Sequence, residues 1–349
     1  MFSKMIKIVE PHRFEEYITC IEQKEEDLLI KPKILSICKA DMRYYLGLRE
    51  PNVLALKYPF CLIHEAIGEV VRENKNKDFI KNDRVVLIPN IAPICEEHKD
   101  CSYVCTDLSL GKNYCPKSLF ASSSCDGFLR EHILYNIDNV VKLPLIKDDA
   151  AYVFCELVSV ACAAIRRTNI HDFDKIVVWG SGNMAYIIAL VIKYYYGREV
   201  IVVGRNEKRL KQFMFCECAT NRKVNNKFLQ KTLFFECVGG NSSQEAINQI
   251  IDVASIGAEI ILTGVPYLNP EINVRSLLEK GLVIKGTTRS DKNDFEKAVK
   301  CFENQLFYKE IEKLIIDINE VRNIYDVQRC FELEKNEKAL GKHLMRLNI

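Results

Sequence analysis

A thiol, an imidazole and two carboxylates, at Cys38, His64, Glu65 and Glu156, are side-chain types that can hold one catalytic zinc. Cys38 closes an apolar run in Ser36-Ile37-Cys38-Lys39-Ala40-Asp41, where a thiolate can be held rigidly. His64-Glu65 sets a nitrogen beside a carboxylate, and Gly68 follows where the backbone must pass close to a neighbour. Sulfur, nitrogen and exchangeable carboxylate oxygen describe a catalytic site with an open coordination position rather than a closed structural one. Each residue alone has a plainer reading, because a single Cys is usually a small core hydrophobe and a single His a satisfied core or surface group. Glu156 is harder to explain away. Its neighbours Phe154, Cys155, Leu157 and Val158 are apolar, so a carboxylate there needs a partner. Asp41 and Glu69 are placed either to orient ligands or to serve as turn and surface residues.

The elements that position these residues follow from the patterning. At 349 residues and 48% hydrophobic content the chain can bury a large core, and two domains are expected. Residues 1–150 show short apolar or alternating runs at Leu28 to Ile37, Ile67 to Val71, Arg84 to Pro89, Phe128 to Tyr135 and Val140 to Pro144, a strand-dominated pattern. The charge run Arg72 to Asp78 reads as a solvated hairpin end. From Asp148-Asp149 a helix is expected, with Asp as its cap and Glu156 inside it. No internal repeat or low-complexity linker is visible.

From Lys175 the pattern becomes strand, glycine turn, helix, strand. Gly180-Ser181-Gly182-Asn183-Met184-Ala185 follows the strand Lys175 to Trp179 and opens a helix over Tyr186 to Tyr196, with a second strand at Glu199 to Val203. Glycines there let backbone N–H groups approach a pyrophosphate at a helix N-terminus, which marks a Rossmann dinucleotide site. Further strands at Leu233 to Val238, Glu259 to Val265 and Leu282 to Gly286, with a helix at Gln244 to Ala254, imply a doubly wound parallel sheet. Where a carboxylate would receive the ribose hydroxyls, the second strand ends in Gly204-Arg205. Arg205, with Lys208 and Arg209, can grip a 2'-phosphate, so NADP(H) is expected over NAD(H); for Lys208 and Lys211 the plainer reading is a soluble helix surface. After Arg289, helices near Asp294 to Glu303 and Ile318 to Leu333 precede a strand at Lys342 to Leu347.

Composition excludes several classes of function. A formal net charge of +2 provides no basic field for nucleic acid. The chain has no apolar run approaching the roughly 20 residues of a membrane span and no export signal, so a cytoplasmic protein is expected. Its 15 cysteines are then reduced thiols, some of them metal ligands. Cys95, Cys101, Cys105 and Cys115 lie in a polar stretch and can form a closed tetrahedral zinc site, with His98 as a substitute ligand. The alternative to that favoured reading is that they are incidental members of a cysteine-rich chain.

The stretch around Cys38, the His64-Glu65 step, the turn Asn82-Asp83-Arg84-Val85 and the later glycine loop occur in the order seen in zinc-dependent medium-chain dehydrogenases, and the chain resembles them over nearly its whole length. Within that superfamily the run Cys38 to Arg49, the segment Phe235-Glu236-Cys237-Val238-Gly239-Gly240 and the segment Leu278 to Ser290 resemble ribitol-5-phosphate (ribulose-5-phosphate) reductases. The resemblance implies an α/β fold: a GroES-like β-rich catalytic domain over 1–150, a Rossmann NADP-binding domain over 151–288, and a return of 289–349 to the first domain. It also implies that Glu156, in Glu156-Leu157-Val158-Ser159-Val160, faces the zinc or its water. Gly111 to Pro116 looks like the closing segment of a structural-zinc lobe. The ribitol-phosphate reductases usually lack that lobe.

The activity so implied is NADPH-linked reduction of D-ribulose 5-phosphate to D-ribitol 5-phosphate, a precursor for CDP-ribitol in teichoic acid or capsule synthesis. Zinc beside nicotinamide polarises a ketone while hydride reaches its carbon and a proton its oxygen. Ala40 stands where many relatives carry a hydroxyl relay, and a metal-bound water oriented by Glu156 is the candidate relay in its place. Arg43 and Arg289 are the cations expected at the domain cleft for the substrate phosphate, or structural ion-pair residues. A homo-oligomer is expected, and a separate cytidylyltransferase must activate the product. The alternatives are a dehydrogenase for another polyol or sugar phosphate, and a nucleotide-binding protein that has lost catalysis.

Overall fold

Alternation of apolar and polar side chains makes the first part of the chain β-rich. Phe2–Glu10 (β1) and Arg13–Cys20 (β2) form an antiparallel hairpin. Asp27–Ser36 (β3) leads through Cys38 into the short helix Lys39–Tyr45 (α1), and Pro51 opens a second helix, Pro51–Lys57 (α2). Then come Glu65–Arg72 (β4), Arg84–Leu87 (β5), the short pair Asn90–Ile91 (β6) and Leu119–Phe120 (β7), Ile133–Asn136 (β8) and Val140–Lys142 (β9). The computed structural model describes residues 1–22, 27–73, 75, 78–93, 110–144, 149–224 and 230–349.

The helix Cys155–Arg166 (α3) leads into Lys175–Trp179 (β10), Asn183–Leu190 (α4), Ile201–Gly204 (β11), Glu207–Leu210 (α5), Glu217–Thr220 (β12), Thr232–Glu236 (β13), Ser243–Val253 (α6), Glu259–Leu262 (β14), Val274–Lys280 (α7) and Val283–Gly286 (β15). These strands form one parallel sheet in the order β12-β11-β10-β13-β14-β15. That is the order of the doubly wound dinucleotide fold, whose ligand lies beyond the carboxyl ends of the strands. Its core includes Val177, Trp179, Phe234, Ile250 and Ile260.

The last part adds Lys292–Cys301 (α8), Gln305–Glu312 (α9), Ile315–Val321 (β16), Ile324–Asn336 (α10) and Lys342–Leu347 (β17). β17 enters the first sheet between β16 and β3, completing the order β16-β17-β3-β4-β5-β9, with β8 also on β3. Two units result. One is Met1–Glu156 with Asp291–Val299 and Ile311–Ile349; the other is Leu157–Ser290 with Lys300–Glu310. The first unit's core gathers Ile30, Leu62, Phe128, Phe331 and Met345. Among the described residues no helix is long and apolar enough to cross a membrane.

Several expected elements differ. Ile318 to Leu333 is not one helix: β16 runs to Val321, and α10 starts after Asn323, whose Oδ1 accepts the N–H groups of Tyr325 and Asp326 at 2.9 and 3.2 Å. The run Phe128 to Tyr135 is a strand only from Ile133, because Phe128 and Leu129 donate to the carbonyls of Ile63 and Leu62. Asp149 does not cap a helix with its side chain, which accepts from Arg84 Nε at 2.5 Å instead. The helix after the glycine turn is α-helical only to Leu190 and continues as a π turn over Val191–Tyr195. β14 stops at Leu262, since Thr263 and Gly264 both turn their N–H groups to the Glu236 carbonyl.

Candidate metal centre and nucleotide-binding end

Ser36 and Glu65 are register partners across β3 and β4, so the residues just beyond them in space, Cys38 and His64, are brought together. Cys38 Sγ, a His64 ring nitrogen and a Glu65 carboxylate oxygen lie within 4.8 Å of one another. The turn that delivers His64 is strained. Ile63 has φ 74°, a conformation that a β-branched residue rarely adopts unless its surroundings impose it. Here its N–H donates to Asp41 Oδ1 at 3.1 Å and its carbonyl accepts from Phe128 at 2.8 Å. Gly127 passes so close that a Cβ would stand 2.3 Å from the carbonyl oxygens of both Leu62 and Ile63. Gly68 is likewise required, with Lys31 O 2.9 Å from where its Cβ would be.

Asp41 organises the donors. It is fully buried; Oδ2 accepts the Cys38 N–H at 3.0 Å, and Oδ1 lies 3.4 Å from His64 Nδ1. Ser122 Oγ is 2.8 Å from the same Nδ1. With Nδ1 so engaged, Nε2 is the nitrogen left for a metal, the usual division of labour where histidine binds one. Burial opposes charge on both groups, but their mutual attraction and hydrogen bonds outweigh it, holding Asp41 below the usual carboxylate range and His64 well above the ordinary imidazole value. Glu69 has no such role. It pairs with Arg84 at 3.2 Å.

Glu65 is buried and both its oxygens accept from Lys342 Nζ, at 2.7 and 2.5 Å. Burial works against its charge, yet Glu65 first, then Cys38 and Glu334, hold its ammonium above the ordinary lysine value. Each carboxylate oxygen retains a lone pair for a metal. Glu156, at the start of α3, lies outside the group of three but within their field. Burial pushes its carboxyl up to about 7, with His64 and Lys342 pulling down and Glu65 and Asp41 pushing up. A half-buried sulfur with a buried imidazole and carboxylate, the histidine oriented by Asp41, fits zinc by donor chemistry.

At the other unit, β10 runs into Gly180 at φ 139°, and Gly182 caps α4. A Cβ on Gly182 would meet nothing within 4 Å, so the turn leaves a cradle beside the first-turn residues Asn183, Met184 and Ala185. Ala185 is fully buried, filling the place of a third glycine. Arg205 is exposed immediately after β11; Asn206 caps α5 by accepting from the Arg209 N–H at 3.1 Å, with Lys208 exposed beside it. Arg43 is half-buried on α1 in the first unit, and Arg289 is half-buried after β15 in the second. Cys115 is buried, whereas Cys95, Cys101, Cys105 and His98 lie outside the described residues.

Three residues of these sites had not been singled out from sequence. Lys342 is 277 positions from Glu65, and Ser122 sits on a loop with φ 62° that has no local motif. Glu236, buried at the end of β13, accepts the N–H groups of Val238, Gly239 and Gly264 at 2.7, 3.2 and 3.2 Å, tying together the loops after β13 and β14. The run Phe235 to Gly240 stands out in the sequence, but nothing in it shows that its carboxylate turns inward.

Comparison with known proteins agrees with this geometry. Residues 24–145 match the model of the alcohol dehydrogenase GroES-like domain. Ribulose-5-phosphate reductase 1 of Staphylococcus aureus is 35% identical over 99% of each chain, and the ribulose-5-phosphate reductase of Streptococcus pneumoniae is 33% identical over 90% of this chain and 88% of its own. The crystal structure of S. aureus TarJ in complex with NADPH superposes with a TM-score of 0.84 at 30% identity, covering all of both chains. The chain therefore belongs to the medium-chain alcohol dehydrogenase family, among the ribulose-5-phosphate reductases.

Proposed function

We propose that this protein reduces D-ribulose 5-phosphate to D-ribitol 5-phosphate with NADPH at a zinc centre formed by Cys38, His64 and Glu65, with Glu156 alongside. The grouping of the three donor atoms within 4.8 Å carries this reading, in a chain that aligns end to end with ribulose-5-phosphate reductases. When bound, the zinc supplies Lewis-acid polarisation of the ketone oxygen. The protein's own residues do the rest. Asp41 and Ser122 fix the imidazole, Lys342 fixes the Glu65 carboxylate, and Glu156, with a carboxyl near 7, exchanges a proton close to neutral pH. The cradle at Gly182 takes the pyrophosphate, and Arg205, Lys208 and Arg209 take the 2'-phosphate.

Arg43 and Arg289 are the candidate cations for the substrate phosphate. Cys95, Cys101, Cys105 and Cys115 are the candidate ligands of a second, structural zinc. We place the reaction in the cytoplasm, where free thiols such as Cys61, Cys155 and Cys330 persist, in a homo-oligomer whose product passes to a separate cytidylyltransferase. The experiment is a turnover comparison of zinc-loaded protein with NADPH and either ribulose 5-phosphate or ribulose. Strong preference for the phosphate is expected, and replacing either arginine by Ala should reduce that preference by roughly tenfold or more. Equal turnover of both ketoses would move the assignment to an unphosphorylated polyol.

A further inference from the structure

We propose that Cys216 and Cys218 form a dithiol site that reacts with low-molecular-weight disulfides and closes to an intrachain disulfide. The two residues flank Glu217 at the bend leading into β12, and both are half-buried. Their sulfurs converge on one acceptor, the Phe213 carbonyl, at 3.7 and 3.8 Å; Cys218 Sγ is also 3.8 Å from the Cys216 carbonyl. Sharing that one acceptor sets the two thiols side by side. Cys61, Cys155, Cys162, Cys301 and Cys330, by contrast, are buried, and the Cys237 thiol meets Thr263 Oγ1 and the Phe235 carbonyl.

Within the pair the roles are unequal. The interaction with Cys216 draws Cys218 below the ordinary thiol range, while Cys216 itself is raised by Cys218 and by burial. Cys218 is therefore the attacking sulfur. Its thiolate attacks one sulfur of the disulfide RSSR, breaking that bond and releasing RS⁻, which takes a proton. The Cys216 sulfur then attacks Cys218 in the mixed disulfide, gives up its proton, and expels the second RSH. Two protein thiols are oxidised, and one external disulfide is reduced to two thiols.

The ring costs strain, and the strain has a direction. In an extended strand, residues two apart are separated by about 6.6 Å, near the upper limit for a disulfide. Closure must pull Cys218 toward the bend and draw Glu217 away from its register partner Ile201 on β11. Among the described residues β12 is the edge strand and pairs only with β11, and β11 ends at Gly204, next to Arg205. A strained, half-exposed bond of this kind belongs to the readily reversed class, and it forms under oxidising conditions. Its expected effect falls on cofactor binding, a part of the inference that rests on the NADPH reading above.

The test treats the full-length, zinc-loaded protein with glutathione disulfide, blocks remaining thiols with N-ethylmaleimide, and analyses the tryptic peptide over residues 212–222 by mass spectrometry. The expected peptide escapes alkylation, is lighter by a pair of hydrogens, and is restored by dithiothreitol. Cys216→Ser, which leaves the attacker without its partner, should retain a glutathione adduct on Cys218, while Cys218→Ser should leave Cys216 alkylated. Melting temperatures of both variants check that they are folded. A wild-type peptide with both thiols alkylated, a persistent glutathione adduct, or a link from either residue to another cysteine would overturn the site. In the oxidised protein the KM for NADPH should rise roughly threefold to tenfold, as for one or two lost edge hydrogen bonds, with zinc content unchanged. An unchanged KM beside a formed disulfide would overturn the link to the cofactor end and leave the mass result standing; no turnover with NADPH even before oxidation would instead indict the proposed reaction.

Discussion

Lys342 Nζ sits 2.7 Å from one oxygen of Glu65 and 2.5 Å from the other, joining β17 to β4 by a buried ion pair. Such a pair is costly to break from one side, because the remaining charge is left in a dry interior. Lys342→Met should therefore destabilise the protein by about 3 to 5 kcal/mol. Adding Glu65→Gln in the same chain should recover much of the loss. Denaturant melts of the metal-free single and double variants test this; a single-variant loss below about 1 kcal/mol would mean that water or another cation replaces Lys342.

Asp41 reaches His64, the Cys38 N–H and the Ile63 N–H from one carboxylate. Asp41→Asn keeps the shape but weakens the anchor on the imidazole, so zinc affinity should fall roughly ten- to a hundredfold. Competition with a chromogenic chelator measures it without any turnover. An unchanged affinity would assign the orientation of His64 to Ser122 alone.

Arg205 stands exposed at the end of β11, where a carboxylate would favour NADH. Arg205→Asp should lower the preference for NADPH over NADH, with a loss for NADPH of about 1.5 to 3 kcal/mol from the charged hydrogen bond. Lys208 and Arg209 can retain part of the grip, so a partial switch is expected. Specificity constants for both cofactors decide the matter, and indifference of both to the substitution removes the assignment.

His343 supplies a pH-dependent contribution to stability. Its Nδ1 lies 2.9 Å from Asp317 Oδ1 and its Nε2 3.1 Å from Glu337 Oε2. Burial lowers its basicity, but the hydrogen bond and charge of Asp317, followed by Glu337 and Glu334, outweigh that and raise it. The folded protein thus binds this proton more tightly than the unfolded chain does. The stabilisation is complete below about pH 6.5 and is lost as pH rises through the higher folded value. Melting temperatures of wild type and His343→Gln, compared from about pH 5.5 to 8.5, should converge as pH rises. A gap between them that stays constant with pH would contradict the pairing.

Local signals carried the second unit well. The strand, glycine turn and helix around Gly180 are contiguous, so backbone chemistry over a dozen or so residues gives them away. The first unit hides more. His64 and Cys38 could be singled out by type, but the strain at Ile63 and the close approach of Gly127 are imposed by chain far away in sequence. Ile318 to Leu333 misled because the end of β16 and the apolar face of α10 merge into one helical-looking spacing. Asn323, a strong cap, was the available sign of the break. Nothing near Lys342 points to Glu65, since the pairing exists only once β17 lies between β16 and β3.

That placement of β17 has a consequence for biogenesis. Synthesis runs from the N-terminus, so Cys38, His64 and Glu65 all leave the ribosome long before residue 342. Until then the edge of β3 lacks its neighbour and the Glu65 carboxylate lacks its buried cation. The candidate metal-binding pocket is thus begun by residues 38–65 and completed only when residue 342 has been made, so the ion pair that fixes Glu65 forms late in synthesis.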